Sequence, residues 1–173
     1  MCLYRAFVVI KPCNHKIEKV EPNDYILLDQ IGQDRLIEAL KIRTITFNEN
    51  SQNLSAIDIF GQFIRKEFHE LEAYGFVEFE FVNKSLFYKI NGINSNLKPY
   101  LFAAHFDVVP AENNWDFDPF DAQIVDSFIY ARGTLDDKSS VIAQLEAVKM
   151  FLAKFGQPKR TLYLGITSTN VLY

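Results

Sequence analysis

One stretch of the chain carries a helix and a buried strand in direct succession. Between residues 138 and 155, apolar side chains recur at the three- and four-residue spacing of a helix with one apolar face, at Val141, Leu145, Val148, Leu152 and Phe155. Gly156 and Pro158 end this helix. The apolar run at residues 161–166 then predicts a buried strand. Strands that alternate with amphipathic helices are typical of a layered α/β domain.

Shorter patterns add further elements on the N-terminal side. Two helices are predicted at residues 34–42 and 53–71, the second with Asn53 or Ser55 as its cap. Four strands are predicted at residues 76–82, 85–90, 100–104 and 123–130. The first two form a hairpin, and the continuous apolar run at 100–104 indicates a strand that is covered on both faces. Because a buried strand needs neighbours on both edges, the strand at 161–166 makes the sheet look unfinished.

Composition and charge exclude several classes of function. The 173 residues carry a net charge of −4 with no basic run, so the clustered Lys and Arg of a nucleic-acid surface are absent from the sequence. No stretch approaches the roughly 18 consecutive apolar residues of a membrane-spanning helix. Arg5 interrupts the weakly apolar N-terminus, so no signal peptide is predicted. Cys2 and Cys13 can pair or stay free, and neither state fixes a compartment.

A histidine and an aspartate stand directly after the strand predicted at 100–104. In an extended chain the side chains of His105 and Asp107 point to the same side. A metal-ligating histidine commonly has its second ring nitrogen held by a carboxylate, and ligands of open α/β sheets bind at strand ends. The pattern therefore indicates a candidate metal site. The alternative is an isolated histidine near a turn with an aspartate nearby.

A second candidate cluster is Arg132-Gly133-Thr134-Leu135-Asp136-Asp137-Lys138, which leads straight into the strong helix. Adjacent acids before a helix are typical of an N-cap with favourable placement at the helix dipole. The functional alternative is that one carboxylate turns inward and bridges two metal ions. A bridging ligand must be anionic and must offer two oxygens, and zinc accepts mixed nitrogen and oxygen ligands.

Three remaining features are interpreted as structural. The loop Trp115-Asp116-Phe117-Asp118-Pro119-Phe120 reads as a hydrophobic anchor, with direct substrate contact as the alternative. His15 and His69 have no companions at ligand spacing and are expected at the surface.

Taken in order, the motifs AHFDVVP, W-x-x-x-PF and IYARGTLDDK resemble those of the zinc-dependent exopeptidases and deacylases. This family includes aminoacylase-1, carboxypeptidase S and acetylornithine deacetylase. Within it, the segments RLIEALKIRTITF, KPYLFAAHFDVVP and ARGTLDDKSSV look most like the N-fatty-acyl-amino acid synthase/hydrolases. The likeness runs from about Arg35 to about Thr167.

The resemblance implies a role for each motif residue. It makes His105 a zinc ligand, Asp107 the catalytic residue that orients or tunes that site, and Asp136 the carboxylate that bridges two zinc ions. Asp137 follows in a peptide bond that the family tends to hold cis, with Arg132 and Gly133 in support. The implied reaction is attack of a metal-activated water on the amide of an N-acyl (fatty-acyl) amino acid or small peptide.

The resemblance also implies groups that the sequence lacks. After a strand like 161–167 the family places an Asp-Glu-Glu-type segment, whereas this chain reads Ser168-Thr169-Asn170-Val171-Leu172-Tyr173 and offers no general base. With two of roughly five metal ligands, weak zinc binding and almost no turnover are expected. The alternative function is a non-catalytic, truncated isoform or gene-model fragment that acts at most as a binding piece.

These expectations divide the chain into three parts. Residues 1–33 form an irregular extension, 34–167 the N-terminal half of a three-layer αβα catalytic domain with a mixed sheet, and 168–173 a divergent tail. The lid or dimerisation domain, through which full-length relatives dimerise, is absent. Relatives are secreted, vacuolar or cytoplasmic, so the resemblance leaves the compartment open.

Overall fold

A computed structural model of the protein describes residues 29–48 and 51–168. Cys2, Cys13 and His15, with most of the predicted N-terminal extension and C-terminal tail, lie outside these residues. The helices are α1 (Gln30–Lys41), α2 (Leu54–Glu67), α3 (His69–Glu72) and α4 (Ser139–Phe155). The strands are β1 (Thr46–Asn48), β2 (Ser51–Gln52), β3 (Val77–Val82), β4 (Ser85–Ile90), β5 (Tyr100–His105), β6 (Gln123–Val125), β7 (Phe128–Tyr130) and β8 (Leu162–Thr167).

Side-chain caps determine where the first two long helices begin. The Asp29 carboxylate accepts a hydrogen bond from the Gly32 amide at 2.8 Å, so α1 starts at Gln30, four residues before the predicted start. Residues 30–33 are therefore helical and not part of an irregular extension. Asn53 caps α2 as predicted, accepting from the Ala56 amide at 3.1 Å. The helix predicted at 53–71 is interrupted at Phe68, which separates α2 from α3.

The main sheet has the strand order β3-β4-β8-β5. Strands β3 and β4 form the predicted antiparallel hairpin, and β8 pairs antiparallel with β4 and parallel with β5. Strand β8 therefore has a neighbour on each edge, and the expectation that the last strand lacks partners is wrong. Helix α4 returns the chain to the sheet, and β8 then inserts between β4 and β5.

The prediction that β5 is covered on both faces is also wrong. Tyr100, Leu101 and Phe102 are 53%, 67% and 43% exposed. Strand β5 lies at an edge of the described sheet, where it pairs with β8 alone. A continuous apolar run shows how much surface a strand could bury, not how much it does bury. Within β5 only Ala104, next to His105, is buried.

Helices pack on one face of the sheet and form a single apolar core. The core combines Tyr88 and Leu164 from the sheet with Leu40, Phe60 and Leu145 from α1, α2 and α4. On the opposite face of the described sheet, Phe87 and Leu101 remain exposed. The mixed α/β architecture is confirmed, with one of the two expected helical layers present among the described residues.

A buried ion pair joins the helices across this core. The Arg35 guanidinium of α1 donates to the Glu146 carboxylate of α4 at 2.6 Å and to Glu67 of α2 at 3.3 Å. Lys149 also pairs with Glu146. Because Glu146 is only 3% exposed, these partners satisfy a carboxylate that burial would otherwise disfavour.

Residues 123–130 form a hairpin and not the single strand predicted. Strand β6 pairs antiparallel with β7, and the turn residues Asp126 and Ser127 both have positive φ, at 48° and 68°. Two left-handed residues in succession are the geometry of a tight two-residue hairpin turn. Among the described residues, no helix has the length and apolarity required to cross a membrane.

Candidate metal centre

The end of β5 is held from both sides by main-chain and hydroxyl hydrogen bonds. The Phe106 amide donates to the Thr167 carbonyl at 2.9 Å, which extends the β5–β8 pairing by one residue. The buried Thr44 hydroxyl donates to the Phe106 carbonyl at 2.6 Å, and the Val108 amide donates to the Thr44 carbonyl at 3.0 Å. The segment before β1 thus fixes the backbone on either side of Asp107.

His105 lies between two carboxylates. Its Nδ1 is 3.1 Å from the Asp107 carbonyl oxygen and 3.4 Å from Asp107 Oδ1, and its Nε2 is 2.9 Å from Asp136 Oδ1. Asp107 is 2% exposed, and apart from the His105 ring its Oδ1 has no hydrogen-bond partner among the described residues. The structure therefore brings His105, Asp107 and Asp136 together, with the ring oriented by Asp107 on one side and open to Asp136 on the other.

These carboxylates change the acidity of the imidazole. The Asp107 carboxylate has the largest effect, and with Asp136 it raises the pKa of His105 to about 9, although partial burial acts in the opposite direction. The metal-free ring is consequently protonated at neutral pH. A metal ion that binds Nε2 must displace that proton.

Asp136 and Asp137 lie on an irregular turn, Thr134–Lys138, that precedes α4. The peptide bond between the two aspartates is cis, as the resemblance implies. Neither acid caps the helix, because α4 has no side-chain cap, so the N-cap interpretation is wrong. The Asp136 side chain is 85% exposed and so projects outward in the described chain, while Asp137 Oδ2 accepts a 3.4 Å hydrogen bond from the His105 amide.

Gly133 directly precedes this turn, at a position that disfavours any larger residue. Its φ is +90°, a left-handed conformation that side chains disfavour. A Cβ at this position would also lie 2.8 Å from Val108 Cγ1. The turn that carries Asp136 is therefore packed directly against the segment that carries Asp107.

Lys138 anchors the other end of the turn, a role that the sequence did not indicate. Its side chain is fully buried, and Nζ donates to the carbonyl oxygens of Ala39 and Ile42 at 2.8 and 2.6 Å. These are among the last carbonyls of α1, which lack partners within the helix. Burial lowers the pKa of Lys138 to about 7.

The loop at 115–120 anchors against basic side chains. Phe120 is buried, with the Arg43 guanidinium 4.9 Å from its ring centroid, which agrees with the predicted anchor. Trp115 is half-buried, and the Arg132 guanidinium lies 5.2 Å from its ring centroid. His69 is at the surface as expected, with 80% of its side chain exposed.

The donor set suits zinc but is small. An imidazole nitrogen and a carboxylate oxygen 2.9 Å apart are of the types that zinc binds. The buried Oδ1 of Asp107, 3.4 Å from Nδ1 of the ring, is the kind of group that orients a metal-ligating histidine. Among the described residues, however, no group of three or more His, Cys, Asp or Glu side chains could together hold a metal ion.

The fold and the motifs resemble those of the metal-dependent exopeptidases and deacylases, and comparison with known proteins confirms that resemblance. The sequence model of Peptidase family M20/M25/M40 matches residues 101–169 of the chain. The match spans β5, the candidate metal residues, α4 and β8.

Two curated relatives and one solved structure illustrate the similarity. The chain is 35% identical over 158 residues to the N-fatty-acyl-amino acid synthase/hydrolase PM20D1 of Xenopus tropicalis, covering 87% of this chain and 31% of that protein. It is 37% identical to the probable carboxypeptidase S-like 2 of Dictyostelium discoideum, covering 76% of this chain and 26% of the relative. The M20 family metallo-carboxypeptidase Sso-CP2 of Sulfolobus solfataricus matches with a TM-score of 0.64 and 26% identity, over 82% of this chain and 31% of that one. The chain thus spans about a third or less of these relatives.

Proposed function

We propose that this chain carries part of the active site of a zinc-dependent amidohydrolase or peptidase that acts on N-acyl amino acids, fatty-acyl ones included, or on small peptides. The observation that supports the proposal is the 2.9 Å approach of His105 Nε2 to Asp136 Oδ1, two motif residues that are 31 positions apart. The substrate class follows the activity for which the PM20D1 relative is named, and peptides are the alternative that the carboxypeptidase relatives favour.

Each candidate residue has a separate task in this proposal. His105 Nε2 and the Asp136 carboxylate would hold zinc, and Asp107 orients the ring through Nδ1. Asp137 secures the His105 backbone, while Gly133 and Lys138 shape the turn that presents Asp136. When bound, zinc supplies a Lewis acid that activates water and stabilises the oxyanion of the attacked amide.

We expect the chain by itself to be catalytically inactive. The described residues offer two ligands for an ion that usually takes four, and no group of three or more ligating side chains occurs among them. The second candidate function, a non-catalytic piece that at most binds a ligand, rests on this observation. It is compatible with a hydrolase as the parent activity.

Zinc titration of the chelator-stripped chain tests the ligand assignment. We expect weak binding in the range of roughly 10–100 µM, because two ligands hold zinc far less tightly than a four-ligand site. His105→Ala and Asp136→Asn should each remove it. His69→Ala and Asp116→Asn, which alter an exposed histidine and an exposed aspartate elsewhere, serve as matched controls.

Two results would count against the proposal. Zinc binding that survives His105→Ala and Asp136→Asn but is lost in the control variants would place the metal elsewhere. Hydrolysis of an N-acyl amino acid by the zinc-loaded chain at about 1 per second or faster is an ordinary enzyme rate. It would show that the expectation of an inactive chain is wrong.

A further inference from the structure

Acidic and basic side chains are unevenly distributed along the chain. Residues 81–106 and 147–173 contain seven Lys and Arg side chains and no Asp or Glu, although the whole chain has 22 acidic residues. In the fold these two segments supply β4, β5, β8 and the second half of α4. One part of the protein is therefore basic, even though the net charge of the chain is −4.

Two loops from these segments meet at the end of the sheet opposite to the candidate metal centre. The loop 91–99 precedes β5 and the loop 156–161 precedes β8, so both lie where these two parallel strands begin. A hydrogen bond from the Ile93 amide to the Pro158 carbonyl, at 2.9 Å, joins the loops directly. The candidate metal residues follow the other end of β5.

Four cations lie on these loops and on the last turn of α4, and together they form a basic surface. They are Lys98, Lys154, Lys159 and Arg160. The three lysines are exposed, and within the described ranges none of the four forms an ion pair with a carboxylate. The Arg160 guanidinium donates to the Lys98 carbonyl at 3.1 Å, across 62 positions of sequence. The fold thus brings together cations that do not form a run in the sequence.

Apolar side chains are exposed at the same end of the sheet. Ile93 is 66% exposed, Tyr100 is 53% exposed and Phe155 is 64% exposed. Two of them lie beside cations, because the Arg160 guanidinium is 4.4 Å from the Tyr100 ring centroid and Lys154 Nζ is 5.1 Å from that of Phe155. Exposed apolar side chains interleaved with unpaired cations are typical of surfaces that bind anionic membranes.

From these observations we infer that the basic surface docks onto an anionic lipid bilayer. The four cations lie against the lipid headgroups, and Ile93, Tyr100 and Phe155 enter the interfacial region, where aromatic side chains are favoured. Lysine suits this position because its apolar stem covers neighbouring apolar groups while its charge reaches the headgroups. The docking is peripheral and requires neither a membrane-spanning helix nor a metal.

The combination of charge and exposed apolar area favours a bilayer over nucleic acid. A phosphate backbone would pair with the cations but would leave Ile93 and Phe155 in water, whereas a bilayer accommodates both kinds of side chain. The surface also lies outside the proposed active site. Along β5, Tyr100 and His105 are roughly 17 Å apart at about 3.3 Å per residue, so a docked chain keeps the candidate metal centre away from the lipid.

Vesicle flotation of the chelator-stripped, 173-residue chain tests the inference. We expect saturable binding to phosphatidylcholine vesicles that contain about 30 mol% phosphatidylserine, and at least roughly tenfold weaker binding to pure phosphatidylcholine vesicles. Raising the salt from about 0.1 M to 1 M should weaken binding by a similar factor, because the screening length falls from roughly 10 Å to 3 Å. Aggregated protein sediments, so the floating fraction reports vesicle-bound chain.

Charge variants separate this surface from the net charge of the chain. Lys154→Gln combined with Lys159→Gln should weaken binding to the anionic vesicles by roughly tenfold or more, since each cation near such a surface contributes about fivefold. Lys41→Gln combined with Lys66→Gln is the matched control. It removes the same charge from two lysines of α1 and α2 that pair with Glu38 and Glu67, and it should leave binding within about twofold.

Apolar variants test the second half of the surface. Ile93→Ser and Phe155→Ser should each weaken binding to the anionic vesicles by roughly threefold or more, because each removes apolar area from the interface. Ile59→Ser alters a side chain on α2 that is 51% exposed, and it should leave binding unchanged. Far-ultraviolet circular dichroism verifies the fold of each variant. Asp136→Asn should lose zinc yet keep vesicle binding, so this inference and the proposed function fail separately.

Three results would overturn the inference. Equal binding to neutral and anionic vesicles would remove the role of the cations, and equal effects of the two lysine pairs would remove the role of this surface. A single-stranded oligonucleotide that binds as tightly as the anionic vesicles, with an affinity that Phe155→Ser does not change, would assign the cations to nucleic acid instead.

Discussion

The two sides of the candidate metal centre differ in how the chain supports them. On the His105 side, the backbone is held by β8 and by the Thr44 segment, and Asp107 is 2% exposed. On the Asp136 side, the backbone is anchored by Gly133 and Lys138, yet the carboxylate itself is 85% exposed. One candidate ligand is thus positioned by packing, and the other projects from a packed turn into solvent.

This difference separates the residues that stabilise the fold from those that only supply chemistry. Substitutions on the buried side should change the free energy of unfolding, whereas changes at the Asp136 carboxylate should be nearly silent in that measurement. Four substitutions test this contrast.

The largest effect is expected at Gly133→Ala. A left-handed alanine and the Cβ contact with Val108 Cγ1 at 2.8 Å together should destabilise the fold by about 3 kcal/mol in urea unfolding. Val108→Ala in the same chain should recover the steric part but not the conformational part, which a double-mutant cycle measures. Additive effects of the two substitutions would show that the turn does not pack on the Asp107 segment.

A pH-dependent effect is expected at His105→Gln in metal-free buffer. The pKa of His105 is raised from 6.5 to about 9 by Asp107 and Asp136, so its ion pairs stabilise the fold fully below pH 6.5 and lose that effect as pH rises through 9. The variant should therefore be less stable by about 1–2 kcal/mol at pH 6, the lower part of the possible range because solvent screens the half-buried ring. A difference in unfolding free energy that stays constant from pH 6 to pH 9.5 would contradict this.

Thr44→Val tests the hydrogen bond that fixes the backbone next to Asp107. It removes the 2.6 Å hydrogen bond to the Phe106 carbonyl while preserving shape, and we expect a loss of about 1 kcal/mol. Thr44→Ser keeps the hydroxyl and should retain most of the stability. Equal stability of the valine variant and the unmodified chain would mean that this hydrogen bond does not contribute to the free energy of unfolding.

The smallest effect is expected at Asp136→Asn. Because the carboxylate is 85% exposed, its removal should change the unfolding free energy by about 0.5 kcal/mol or less at neutral pH, even though it should eliminate zinc binding. Thermal unfolding with and without zinc separates the two outcomes. A large loss of metal-free stability would show that the Asp136 carboxylate itself stabilises the fold.

Local sequence patterns predicted those helices and strands that depend on the spacing and capping of their own residues. The α2 cap at Asn53, the β3–β4 hairpin and helix α4 follow from side-chain spacing and capping chemistry. The position of β8 between β4 and β5 did not, because strand order depends on contacts between distant segments. The exposure of β5 was missed for the same reason, since an apolar run does not reveal which strand occupies an edge.

The candidate site shows a similar division. The approach of His105 to Asp136 and the cis peptide were expected from a family resemblance carried by motifs, and the structure has both features. The contributions of Thr44 and Lys138 could not be anticipated, because a threonine in a loop and a lysine at a helix start have no distinctive sequence signal. Their roles depend on partners 62 and 99 residues away.

Through Lys138, the turn that carries Asp136 and Asp137 depends on helix α1. Ala39 and Ile42 supply both acceptors for the Lys138 ammonium, although 99 and 96 positions separate them from it. Any product shortened through residue 42 would lose both of these acceptors and the helix that covers the Lys138 side chain. The turn that carries the two aspartates would then lose its anchor without any change in the neighbouring sequence, so the geometry of the candidate site depends in part on residues almost 100 positions away.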